Sequence, residues 1–213
     1  VSIIEETQPR WLAFLNGDHD MIDRLPNEFA SIAIPNNKLA PNLAKMGLRM
    51  ERVPLVDSTL VYFGMEHPVV GGYTPERVAL RRAVALAYDS EREISLLRRG
   101  QAIPAQSIIP PLLSGYDPKL KTEMSQHDAA RAKALLDLYG YTDKTGDGWR
   151  DQPNGEPLLL EYSSQPDQLS RTQQDLWQKA MNAINVRIEF RIAKWPEQLK
   201  QSRAGKLMIW GVA

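Results

Sequence analysis

LLLEY (158–162), LSRTQQDLWQKAMNAI (169–184), VRIEFRI (186–192), PEQLKQSR (196–203) and LMIWGVA (207–213) are the consecutive stretches on which the fold turns. The first is an apolar run of strand length. The second repeats Leu169, Leu176, Trp177, Ala180, Met181 and Ile184 at the spacing of one helix face. Asn185 ends that helix. The third alternates Val186, Ile188, Phe190 and Ile192 with charged residues, the period-two pattern of a half-buried strand. A short helix over Pro196–Arg203 and a turn at Gly205-Lys206 lead to a last apolar strand. Strand, helix, strand, helix and strand in succession predict an α/β or α+β chain, a mixed sheet with helices packed on it.

Upstream, Thr74-Pro75 reads as an N-cap followed by proline at the first helical position, where its missing N–H does no harm. Val78–Tyr88 is apolar on nearly all sides, interrupted by Arg81-Arg82, and predicts a largely buried helix. Asp89 can cap a second helix running to Arg99 and closed by Gly100. Gln101–Pro118 is a long loop with four prolines. Asp128 caps a third helix with Ala132, Leu135, Leu136 and Tyr139 on one face and Gly140 as its stop; a turn over Asp143–Gly148 follows. In the first third, Arg10–Leu15 is a short helix ending at Asn16-Gly17. Lys38–Met46 is another, loops rich in Pro and Asn lie between, and Thr59–Met65 is a strand. Gly-Tyr recurs at 72–73, 115–116 and 140–141 with unequal spacing, so it marks turns and not a repeat.

Composition removes several classes of function. The 26 basic residues are offset by 26 acidic ones, and no run of like charge occurs, so no positive field gathers nucleic acid or anionic lipid. The absence of cysteine excludes thiol nucleophiles, disulfides and cysteine zinc sites. No apolar stretch approaches the ~20 residues that span a bilayer. The N-terminal Val1-Ser2-Ile3-Ile4 carries neither an initiator Met nor a signal segment, and the chain stops inside an apolar strand. A fragment truncated at both ends is therefore expected.

No nucleophile elbow, metal-binding histidine pair, phosphate loop or Ser-x-x-Lys is present. Gly146-Asp147-Gly148 lacks the third glycine and the following helix of a dinucleotide site. Asp143, Asp147 and Asp151 are spaced by four, not at the alternate positions of a calcium loop, and read as a solvated turn. His19, His67 and His127 stand apart, as surface or capping residues do. No catalytic residue, metal or cofactor is expected. Trp177 and Met181 sit at core spacing. Trp210 is core first, although a Trp-Gly pair in a strand lets a ligand or another backbone approach closely.

Five stretches in order resemble family 5 extracellular solute-binding proteins, which include the dipeptide, oligopeptide and nickel receptors. Leu80–Asp89 is similar to the family's "VRqAlayAiDr" helix, with Ser90 where a basic residue is usual. Pro104-Ala105 through Ile109-Pro110-Pro111 to Gly115–Pro118 resembles its proline loop, and Asp128–Tyr141 its "DpekAkaLLaeaGY". Asp147-Gly148 to Pro157-Leu158 resembles its acidic glycine turn. Met208–Gly211 is similar to its "alWgW" strand, with Val212 replacing the second Trp. Leu15–Asp20 is similar to its "LlsGevDi" element.

The resemblance implies one lobe, residues 1–213, of a two-lobed periplasmic receptor. Such a receptor closes over a small solute, most often a peptide, and docks on the permease of an ABC importer. The family's acidic residue that meets a peptide N-terminus would fall beyond Ala213, so none is assigned. Met65-Glu66 stands where the family often has Asn. Met65, Glu66, Trp210 and Gly211 are the expected ligand-binding residues, meeting at one edge of the lobe. Two alternatives accompany this expectation: a ligand-sensing regulatory module built on the same lobe, and an unrelated α/β enzyme.

Overall fold

The computed structural model describes residues 3–4 and 6–212, and their contacts gather into two compact units. The smaller takes the chain up to Pro54 together with Arg98–Ala102; the larger takes Leu55–Leu97 and the chain from Ile103 onward.

The smaller unit is helical, with α1 over Thr7–Leu15, α2 over Ala30–Ala33 and α3 over Pro41–Lys45. α1 stops where the sequence predicts, with Gly17 at a φ of 82°. α3 starts later than Lys38 because Pro41 takes the first turn and Ala40 before it stays extended, at ψ 138°. α2 lies in a segment read from sequence as loop; only its alanines, Ala30 and Ala33, are buried. Trp11 anchors this unit, packed with Ala33, Ala40 and Leu43 and stacked on Phe29 at 5.6 Å.

The larger unit holds β1 (Leu60–Phe63), α4 (Pro75–Ala87), α5 (Ser90–Leu96), α6 (Ala129–Leu138), β2 (Leu159–Ser164) and α7 (Gln168–Ala183). β3 (Arg187–Ile192), α8 (Trp195–Arg203) and β4 (Ile209–Val212) complete it. Ala213 of the expected last strand lies outside the described residues. The strands form one mixed sheet in the order β1-β4-β2-β3, as α/β patterning predicts. β2 runs parallel to both its neighbours, and β1 runs antiparallel to β4. One sheet face carries Leu160, Tyr162, Ile188 and Ile209 against Leu80, Val84, Leu136 and Met181 of the helices. β2-α7-β3 and β3-α8-β4 step across the sheet in opposite directions. Right-handed crossovers therefore place α7 and α8 on opposite faces.

Side chains near the resembling motifs hold this unit together. Asp89 and Asp128 each accept the backbone N–H three residues on, at 2.9 and 2.8 Å, so the chain breaks into two helices at Asp89. Asp167 caps α7 in the same way at 2.9 Å. Thr74 sits at the N-cap of α4 but bonds no helix N–H; its hydroxyl meets Glu76, whose carboxyl it holds below the usual range. Pro75 and the buried face of α4 suffice to start that helix. From α4, Arg77 reaches back to the carbonyl of Gly71 at 2.9 Å, and Arg81 to those of Val70 and Gly72 at 2.6 and 2.9 Å. Arg150, only 7% exposed, donates Nε to Ile184 O at 2.8 Å and its guanidinium to Tyr141 O and Asp137. Its own N–H bonds Asn185 O at 2.9 Å. The acidic glycine turn thus fastens the ends of α6 and α7 beside the start of β2.

Candidate functional site

β2, β3 and β4 end at one edge of the sheet, and the chain leaves β2 and β3 toward opposite faces. In open α/β sheets such divergence opens a crevice beyond the strand ends. Here a recess of about 40 Å³ is lined by Ser163, Ser164 and Gln165 of the β2 end, Ser170 and Gln173 of α7, Gln198 of α8, and Trp210 and Gly211 of β4. Ser163 and Gln198 also line a larger groove of about 420 Å³ on the α8 side, walled by Glu161, Arg191, Glu197 and Lys206.

The geometry of this edge follows from where β2 stops. The apolar pattern ends at Tyr162, yet the strand runs on, pairing Ser163 with Arg191 and Ser164 with Ile192. Gln174 Nε2 donates to Ser164 Oγ at 2.9 Å. Gln198, 2% exposed, donates Nε2 to Ala193 O at 3.1 Å and to Ser164 O. Ser163 Oγ and Gln198 Oε1 are buried without a hydrogen-bond partner. Leaving such an atom unpaired costs roughly 1–3 kcal/mol, so this strand end carries polar groups that the packing beneath it does not satisfy. Sequence reasoning missed these residues; the polar run Ser163-Ser164-Gln165 directly behind an apolar strand is the signal that could have found them.

Of the four residues expected to bind ligand, Trp210 and Gly211 line the recess. Trp210 is 3% exposed and packs on Trp195 at 5.1 Å and edge-on to Tyr62 at 6.0 Å. A Cβ on Gly211 would lie 2.7 Å from the Tyr162 hydroxyl, so the close approach this glycine permits is made by its own neighbouring strand. Met65 and Glu66 are exposed and lie elsewhere. Because β1 is antiparallel to β4, it carries them to the edge where β4 begins, with Gly64 N–H bonding Met208 O at 2.8 Å. The register sets Met65 level with Leu207, three residues or roughly 10 Å along the strand from Trp210. The four do not meet at one edge, as the sequence had suggested.

The recess offers hydroxyls, amides and an aromatic wall, with no carboxylate, amine or imidazole among its lining residues. Burial pushes the Tyr162 phenol well above its ordinary value, and neither its hydroxyl nor Trp177 Nε1 makes a hydrogen bond although the rings touch. Partial burial lowers the His67 imidazole, whose Nδ1 accepts from Val69 N–H at 3.2 Å. The acidic turn is consumed internally. Asp143 accepts the N–H groups of Gly146, Asp147 and Gly148 at 2.7, 3.2 and 2.8 Å. Asp147 is held low first by the backbone N–H of Trp149 and then by Arg187, and Asp151 takes Lys144 N–H at 2.9 Å. Among the described residues no group of three His, Cys, Asp or Glu is placed to hold a metal ion, and no helix is long and apolar enough to cross a membrane.

Residues 1–212 match the model of the bacterial extracellular solute-binding proteins, family 5 Middle. The di/tripeptide-binding protein 2 of Pseudomonas aeruginosa is 30% identical over 135 residues, 60% of this chain and 22% of that protein. The lactococcal OppA, complexed with an endogenous peptide in the closed conformation, superposes with a TM-score of 0.76 at 17% identity, over 97% of this chain and 39% of that one. NikA from Brucella suis, in complex with Fe(III)-EDTA, does so with a TM-score of 0.73 at 19% identity, over 100% of this chain and 40% of that one. The chain thus spans about two fifths of the length of these solved relatives and about a fifth of the Pseudomonas protein.

Proposed function

This chain belongs to the family 5 bacterial extracellular solute-binding proteins, and from that premise we propose that residues 1–213 form one lobe of a periplasmic receptor. The receptor captures a peptide or similar small solute and hands it to the membrane permease of an ABC importer. It performs no chemistry on its cargo. The observation that carries this is the polar strand-end edge, where hydroxyl and amide side chains line a recess backed by the Trp210 wall. Neutral donors and acceptors of this kind suit reversible capture of a hydrogen-bonding solute. Trp210 and Gly211 serve as the back of the solute site. Met65 and Glu66 serve as a separate contact at the opposite edge.

A solute held between two lobes takes its affinity from both and from the water excluded on closure. Differential contact with the closed state is what biases the receptor toward it. A single lobe makes half of those contacts, while the ordering cost of binding remains. Calorimetry with one library of di- and tripeptides, on this chain and on a protein of the full relatives' length carrying it, tests the proposal. The longer protein should bind at least a hundredfold more tightly. Equal affinity in the two would place the whole site in this chain and end the two-lobe proposal.

A further inference from the structure

We propose that Asn154-Gly155 is a site of spontaneous covalent modification, where the Asn154 side chain closes on the Gly155 nitrogen, loses ammonia and leaves an aspartyl or isoaspartyl residue. The site is independent of the receptor proposal.

The sequence holds two Asn-Gly pairs, Asn16-Gly17 and Asn154-Gly155. Glycine after asparagine leaves the attacking nitrogen unshielded, because no Cβ stands beside it. Both pairs are exposed, and a Cβ on either glycine would meet nothing within 4 Å. Sequence and exposure therefore do not separate them. The hydrogen bonds do.

Gln152-Pro153-Asn154-Gly155 is a β-turn closed by Gly155 N–H on Gln152 O at 2.8 Å. Past the turn, Glu156 N–H donates to Asn154 Oδ1 at 3.1 Å. That bond curls the side-chain amide back along the turn toward the Gly155 peptide, the orientation that ring closure needs. It also sets a donor on the oxygen where negative charge grows as Cγ becomes tetrahedral. The bond from Gly155 to Gln152 lies in the peptide plane. The electron pair that attacks is perpendicular to that plane and stays free. At Asn16 the corresponding donor, Asp18 N–H, is spent on Ala13 O at 3.0 Å, and Asn16 itself ends α1 in helical backbone.

In the reaction Gly155 N gives its proton to hydroxide and bonds Cγ. The bond from Cγ to Nδ2 breaks, and Nδ2 takes a proton from water and leaves as ammonia. Water then opens the ring. Attack at Cγ gives the aspartyl residue, and attack at the backbone carbonyl gives the isoaspartyl one. Nothing is oxidised or reduced. The isoaspartyl form adds one carbon to the backbone inside the turn, where Gln152 N–H reaches Glu156 O at 2.8 Å and Asp151 pairs with Pro157. The extra carbon loosens that closure beside Arg150.

The test holds the chain at mildly alkaline pH, folded or in urea, and follows two tryptic peptides by mass spectrometry. Residues 11–24 carry Asn16 alone and residues 151–171 carry Asn154 alone. Exchange of amide for acid adds about 1 Da. In the folded chain Asn154 should convert at least about tenfold faster than Asn16. In urea the two rates should converge. Glu156→Pro deletes the donor N–H and should slow Asn154 several-fold while Asn16 keeps its rate. The isoaspartyl form should unfold at a lower urea midpoint than Asn154→Asp, which carries the charge without the extra carbon. Equal rates at the two sites of the folded chain, or faster conversion of Asn16, would overturn the proposal without touching the receptor. So would an Asn154 rate unmoved by Glu156→Pro.

Discussion

Gly211→Ala decides whether the Trp-Gly pair of β4 is kept for packing or for a ligand. The added methyl would sit 2.7 Å from the Tyr162 hydroxyl and 3.8 Å from Val61 Cγ2. Ordinary contact begins at 3.4 Å, so the phenol must retreat by 3.4 − 2.7 = 0.7 Å. It has little room to do so, since its ring is 3% exposed and sits 5.2 Å from Trp177 and 6.0 Å from Phe190. Overpacking of this kind costs about 1–3 kcal/mol, partly offset by the ~0.5 kcal/mol that alanine gains over glycine in a strand. Tyr162→Phe removes the obstructing oxygen, which has no hydrogen-bond partner. Alone it should stabilise the fold, by up to about 1–3 kcal/mol, because it removes a buried hydroxyl that has no partner. In that background Gly211→Ala should become nearly neutral. Urea unfolding of the four proteins, followed by tryptophan fluorescence, should return a coupling of about 1–2 kcal/mol. Equal costs of Gly211→Ala in both backgrounds would refute the steric account. A Gly211→Ala protein of unchanged stability that no longer binds peptide would assign the glycine to the ligand.

Arg150→Ala should cost about 3–5 kcal/mol in the same assay, because it strips the carbonyls of Ile184 and Tyr141 of their donor; a loss under about 1 kcal/mol would show the clamp to be idle. Asp89→Ala should cost about 1 kcal/mol and Asp89→Asn much less, as N-cap exchange does; equal losses would mean that charge and not the cap matters. His67 has a folded pKa below its unfolded 6.5, so its neutral form supports the fold above pH 6.5 and that support is lost as pH falls through the lower folded value. The urea midpoint should therefore drop between about pH 7 and pH 5, and His67→Gln should flatten the drop; an unchanged profile in the variant would clear His67 of the effect.

Most of the helices, the buried face of α4, the caps at Asp89 and Asp128 and the α7-β3 unit were legible because each is local: a polar cap, then apolar residues at one period. Strand direction is not local. Thr59–Met65 and Leu207–Ala213 read equally well as strands, but periodicity carries no arrow, and the antiparallel β1 sends Met65-Glu66 away from Trp210. Ser163 and Ser164 escaped for a related reason. They continue β2 because Arg191 and Ile192 offer partners there, not because their own pattern demands a strand. Thr74 was misjudged in detail because a carboxylate two residues on competes for its hydroxyl.

The residues that make the family recognisable and those proposed to meet a solute are different residues under different constraints. Asp89, Asp128, Arg150 and Gly211 lie in the motifs by which the chain resembles its family, and each answers to a structural demand: an orphan N–H, an orphan carbonyl or a ring that needs space. Any receptor with this lobe meets the same demands whatever it carries. Ser163 at the end of β2 and Gln173 on α7 line the recess without holding another part of the fold in place, unlike Gln198, whose Nε2 binds two carbonyls. Function on a shared fold is set by such grafted groups. Exchanges among them should therefore alter which solute is held while moving the unfolding midpoint little. Exchanges at Arg150 or Gly211 should do the reverse, and a stability scan set beside a peptide-binding scan would find the two sets overlapping if this division were false.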